Sequence, residues 1–208
     1  MKKTLLIATL VGICGLVRAT TINAPSTLIG TSVLNGNNAY SWGISIAVPT
    51  GQVVTSAQID FTNIKLTASN GTGTDYLYTD LLNTHTAGVT TKVDNDAPGD
   101  YWATQLSGAN ITSLGSKLFT TVGTTLTWSY VLSASQLTAL NSYLAAGSFN
   151  IGIDPDCSFS VGGLSFTYTL SPKPNSVPDQ AETALLAIVG LAGLEIFRRK
   201  FAPATSKA

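Results

Sequence analysis

Between residues 20 and 170 the chain alternates hydrophobic and polar positions in short runs. The runs 39–48, 53–68, 75–82, 124–132, 148–153 and 164–170 are rich in β-branched and aromatic residues, the pattern of half-buried strands. Leu126, Trp128, Tyr130 and Leu132 fall on one face of an extended chain, as do Phe166, Tyr168 and Leu170. Asn35-Gly36-Asn37-Asn38 and Asn70-Gly71-Thr72-Gly73 supply turn residues between runs. One segment changes period: over 136–146, Leu137, Leu140 and Leu144 have helical spacing, with Ser133 placed to cap the start and Gly147 to close the end. The pattern predicts a mainly β fold, an antiparallel, jelly-roll-like β-sandwich over 20–170 with one short helix joining two strands at its edge.

Both ends break this pattern. Lys2 and Lys3 precede an apolar run over 5–17 that ends in Val17-Arg18-Ala19. A basic start, a short apolar stretch and small or aliphatic residues at alternate positions before a cut describe a secretory signal peptide, 1–19, with cleavage between Ala19 and Thr20. At the other end, Pro172, Pro174 and Pro178 punctuate a polar linker over 171–182, which can continue neither strand nor helix. Residues 183–197 are then almost wholly apolar and run into Arg198-Arg199-Lys200. Fifteen helical residues reach roughly 22 Å against a hydrocarbon core of ~30 Å, so flanking side chains must complete a crossing. Apolar residues surround the helix, which favours a transmembrane segment over an amphipathic one, and the basic triplet predicts a cytoplasmic C-terminus.

The order Val177-Pro178-Asp179, apolar helix, Arg198-Arg199-Lys200 resembles the PEP-CTERM class of sorting signals, in the variant where Val-Pro-Asp replaces Pro-Glu-Pro. The resemblance implies a Gram-negative-type bacterium, handling by an exosortase (a membrane-embedded cysteine transpeptidase) and delivery to the envelope or the extracellular matrix. It implies transient anchorage in the inner membrane through 183–208. After Asp179 this chain has Gln180-Ala181-Glu182, where the variant usually has Ser and Gly. The segments 77–83, 94–101 and 153–159 are similar to β-sandwich domains that commonly precede such signals. Ser158 stands where the pattern Asp-Pro-Asp-Cys-His-Phe has His.

Charge and composition narrow the function classes. Between 20 and 172 the chain has three lysines and eight aspartates, a balance of −5, and both glutamates fall in the tail. Without a basic face it is no nucleic-acid binder. Thr and Ser supply nearly a quarter of the residues, which suits an exported β-protein. Only Cys157 survives signal removal, so no internal disulfide forms. His85 is the sole imidazole and lies in a polar loop segment, where a solvated surface role outweighs a catalytic one. Cys157 follows Asp154-Pro155-Asp156, and neighbouring carboxylates raise a thiol pKa, the wrong direction for a nucleophile. No nucleophile elbow, phosphate-binding loop or dinucleotide fingerprint is present.

These observations predict a non-enzymatic exported protein whose partners are the Sec translocon, signal peptidase and an exosortase-type enzyme. Exopolysaccharide is a further candidate partner. A carbohydrate-binding module would need exposed aromatics, with Trp42, Trp102 and Trp128 as a stacking platform; Trp42 and Trp128 lie in alternating strands and read as core. A secreted hydrolase would need two aspartates facing each other across a cleft. No cofactor is required, and one cation reading stays open. Asp94, Asn95, Asp96 and Asp100 place four oxygen-bearing side chains within seven residues, a turn that offers oxygens to Ca²⁺ if a second segment such as Asp154 and Asp156 joins it. The alternative is that these side chains cap their own turns.

Overall fold

The computed structural model describes residues 18–69, 71, 75–95 and 99–173. Eleven strands are described: β1 (Arg18–Asn23), β2 (Gly30–Leu34), β3 (Asn38–Ser45), β4 (Gln52–Ala68), β5 (Asp75–Leu82), β6 (Val89–Val93), β7 (Ile111–Phe119), β8 (Thr125–Val131), β9 (Ser148–Pro155), β10 (Ser158–Val161) and β11 (Gly163–Pro172). Two helices join them, α1 (Tyr101–Gln105) and α2 (Ala134–Tyr143). The chain is therefore mainly β, in two antiparallel sheets. The first has the order β1-β11-β4-β10-β2 with β8 also paired to β4; the second runs β6-β3-β9-β5-β7.

The core is the joint inner face of the two sheets. From the first sheet come Ile59, Phe61, Ile64, Leu66, Phe159, Val161 and Phe166; from the second come Tyr40, Trp42, Ile44, Leu77, Leu81, Phe149, Ile151 and Ile153. Edge-to-face aromatic pairs link the sheets: Phe149 with Phe166 at 5.3 Å and Phe119 with Phe159 at 4.8 Å between ring centroids. Such pairs add about 1 kcal/mol beyond their buried area.

The long strand β4 keeps its inner face by means of a bulge. Its buried residues run 57, 59, 61 and then 64, 66, so parity changes at Thr62-Asn63. There the pairing with β8 shifts register between Phe61 and Ile64, and Asn63 takes a left-handed φ of 50°. The extra residue returns Ile64 and Leu66 to the core.

Helix α2 lies where its spacing predicts. Ser133 and Gln136 form a reciprocal capping box, Leu140 and Leu144 are buried, Leu137 packs against the core, and Gly147 closes the end with φ 86°. It joins β8 of the first sheet to β9 of the second. The chain separates into two compact units, Met1–Ser171 and Pro172–Ala208. Most of the expected signal peptide, the Val177-Pro178-Asp179 motif, the 183–197 helix and Arg198-Arg199-Lys200 lie outside the described residues. Among the described residues no helix is long and apolar enough to cross a membrane.

Candidate functional site

The outer face of the second sheet is covered rather than open, and its cover creates the site. On β3, Ala39, Ser41 and Gly43 alternate with the core residues; on β9, Asn150, Gly152 and Asp154 do so; on β5, Tyr76, Tyr78, Asp80 and Leu82 do so. Two connections lie on this face. The 83–88 loop is pinned by Asn150, whose side chain accepts from the Thr86 amide at 3.0 Å and donates to the Thr86 carbonyl at 2.9 Å. Gly43 is required there, since a Cβ would collide with the Thr86 carbonyl oxygen.

The second connection runs from β6 into α1. Trp102 packs with Ala39 and Leu82 in a small buried cluster and donates its indole N–H to the Tyr40 carbonyl at 3.1 Å. Gly152 makes room: a Cβ would lie 2.8 Å from the Trp102 ring. Trp102 thus anchors the one-turn helix to the sheet, and Asp100 caps that helix by accepting from the Ala103 amide at 3.2 Å.

Under this cover lies a nest of aspartates. Asp80, Asp100 and Asp154 interact with one another, and Asp94 and Asp156 act on Asp154 from close by. Asp80 pairs with Gly152 across β5 and β9, and Tyr78 pairs with Asp154, so Asp80 and Asp154 are diagonal neighbours on one face. Both are 0 % exposed. Asp154 Oδ2 accepts from the Tyr101 amide at 2.7 Å, but its Oδ1 accepts from no donor; the Asp80 carboxyl has Ser113 and Asp100 as its side-chain hydrogen-bonding neighbours. Buried carboxylate oxygens without donors carry a substantial desolvation cost. Among the described residues, no basic side chain figures in the main influences on Asp80, Asp100 or Asp154.

The electrostatics follow. Burial, then the facing Asp100, pushes the Asp80 carboxyl up to about 8. Burial raises Asp154 to about 7, against the opposing Tyr101 amide and with Asp94, Asp100 and Asp156 adding repulsion. Asp100 is also raised by burial, held back by its helix-capping hydrogen bonds and by Asp80. Burial, then Asp156, pushes the Tyr78 hydroxyl up to about 12. Burial and mutual repulsion thus favour the protonated carboxyls.

The sequence-predicted residues divide accordingly. Asp94 and Asp100 lie at the nest with Asp154 and Asp156, the second segment the turn needed. Asn95 is exposed, with a left-handed φ of 60°, the conformation of a turn residue. Asp96 lies outside the described residues. Asp80, which the sequence pattern does not single out, is as fully buried as Asp154. The Cys157 thiol is buried and donates to Asp75 Oδ1 at 2.6 Å. With Asp156 it also lines a cavity of ≈ 170 Å³ bordered by Asn35, Asn37 and Ser69. His85 lies in a loop, its Nδ1 2.5 Å from the Ser148 carbonyl. Trp42 and Trp102 are buried, and Trp128 is half-buried and stacked on Phe61, so the three do not form one exposed platform. Ala19 and Thr20 lie in β1, Thr20 opposite Tyr168.

Set against known protein families and characterised proteins, the chain matches no family model and none of the characterised proteins.

Proposed function

We propose that the chain is an exported, non-enzymatic protein of the cell envelope or extracellular matrix. In this reading a jelly-roll-like β-sandwich follows a cleavable signal helix, 1–19, and precedes a linker, a sorting motif and a membrane-crossing tail, 183–208. The observation that carries it is the division of the chain at Ser171 and Pro172, where the last strand of the first sheet ends. A passenger domain with a separable tail has that organisation. The Val177-Pro178-Asp179 and Arg198-Arg199-Lys200 elements then serve as address and stop. The Sec translocon, signal peptidase and an exosortase-type enzyme are the partners this requires, with exopolysaccharide as the surrounding matrix. The non-enzymatic reading is supported by the full burial of Asp80 and Asp154, which leaves neither carboxyl facing solvent.

The test is fractionation of a bacterium that carries an exosortase and expresses the chain. The expected result is an N-terminus at Thr20 in the envelope or medium and loss of the tail. Replacing Val177, Pro178 and Asp179 with alanine should trap the protein in the inner membrane. A retained Met1, or unchanged release of the triple variant, overturns the reading.

A further inference from the structure

We propose that β8 is a self-association edge: two copies of this chain pair β8 antiparallel with β8 about a two-fold axis at Trp128, joining their first sheets into one. Among the described residues β8 pairs with β4 alone, so one side of its backbone presents N–H and C=O groups to a further strand. Its sequence, Thr-Leu-Thr-Trp-Ser-Tyr-Val, contains no charge, Pro or Gly. The edges of the second sheet are built otherwise. Strand β6 carries the exposed Lys92. Strand β7 carries Lys117 on the face it shares with the core residue Leu77, and it bulges between Ser113 and Gly115, where its register with β5 shifts. Charges and bulges of this kind blunt an edge against pairing. Strand β8 has neither, since the extra residue in its ladder belongs to β4.

Charge and self-complementarity select a second copy as the occupant. Across a two-fold axis a strand meets itself reversed, so a charged edge repels its own image; β8 has no charge to do so. With the axis at Trp128, Leu126 lies opposite Tyr130 of the second copy, Thr127 opposite Ser129, and Thr125 opposite Val131. Each match joins residues of the same face, apolar with apolar on the inner side and hydroxyl with hydroxyl on the outer. Leu126, Trp128 and Tyr130 pack toward the core yet are only half-buried, because the sheet ends beside them. Trp128 stacks on Phe61 of its own chain, and the second copy covers what Phe61 leaves. On the outer face Val131 is 64 % exposed and gains the cover of Thr125. The Asp60 carboxylate, on β4, accepts from Ser129 at 2.5 Å and from Gln58 at 2.6 Å. Three strand spacings, ~14 Å, separate it from its own image, beyond the Debye length at physiological salt. Neither the pairing nor its test depends on where the chain is delivered.

The test uses the full chain in a mild detergent, its mass followed by light scattering on a sizing column from about 1 to about 100 µM, a range that spans the micromolar constants of weak interfaces. The expected result is a monomer that becomes a dimer as concentration rises. Tryptophan emission should move to shorter wavelength with it, since Trp42 and Trp102 are already buried and Trp128 has surface left to cover. Thr127→Lys combined with Val131→Lys should abolish both changes while Tm stays within a few degrees, because both positions are exposed. Thr91→Lys, at an exposed position on the β6 edge, should keep them. If the double variant fails to fold, Thr127→Lys alone decides. A wild type that stays monomeric at the highest concentration overturns the proposal, as does a dimer lost in Thr91→Lys. A dimer kept in the folded β8 variant, the result that association through 183–208 would give, overturns it too.

Discussion

Asp80 occupies a strand position opposite a glycine, and that pairing explains its environment. Gly152 leaves space that the Trp102 ring fills, and the Asp80 carboxyl on the same face is fully buried instead of facing water. Its pKa is raised from 3.8 to about 8, which means the folded chain holds this proton more tightly than the unfolded chain does. The stabilisation is complete below the unfolded value near 4 and is lost as pH rises through about 8. Asp154, raised to about 7, adds a contribution of the same sign. Among the described residues, Asp94, Asp100, Asp156, Tyr78 and Tyr76 are other titratable groups at or beside the nest. In EDTA, then, Tm should fall steadily between pH 4 and pH 8, and Asp80→Asn should flatten that slope; a wild-type midpoint that rises over this range contradicts the assignment. Gly152→Ala tests that packing: the added methyl meets Trp102, so a loss of about 1–3 kcal/mol is expected. A red shift in fluorescence should accompany it.

The elements with strong two-residue alternation were legible before any coordinates. Runs 53–68 and 75–82 coincide with β4 and β5 to within a residue, and 124–132 and 164–170 with β8 and β11 to within two. What escaped notice is polar. Strand β6, Val-Thr-Thr-Lys-Val, is an edge strand with three of its five residues exposed, so alternation carries no signal there. β1 and β2 hold few large apolar residues, the large apolar residues of β7 (Ile111, Leu114, Leu118, Phe119) do not alternate, and α1 is a single turn too short for helical periodicity. The nest was half legible: Asp94, Asp100, Asp154 and Asp156 stand out as clusters in the sequence, but Asp80 sits inside an apolar strand whose outer face is revealed only by register. Helix α2, in contrast, declared both of its ends. Its capping Ser133 also holds the Gln136 side chain, which donates to the Ser113 carbonyl and the Tyr130 hydroxyl at 2.8 Å each. Ser133→Ala should therefore cost about 1 kcal/mol in urea unfolding, while Gln136→Leu should cost more by stranding both acceptors.

At the scale of the whole molecule, the boundary at Pro172 predicts that removing 183–208 leaves the melting curve of the remainder within a few degrees. A cooperative transition lost on that truncation would make the tail part of the core. The position of β11 has another consequence, one of timing. The last strand of the sandwich is not an edge: it lies between β1 and β4, with Arg18 opposite Leu170 and Asn23 opposite Ser165. A ribosome delivers it after every other strand has been made, and until it arrives the first sheet is missing an interior member. Nor can β1 dock in the meantime, since its recorded partner does not yet exist. The first sheet is thus expected to close only after about residue 172 has emerged, which places its cooperative folding at the end of synthesis.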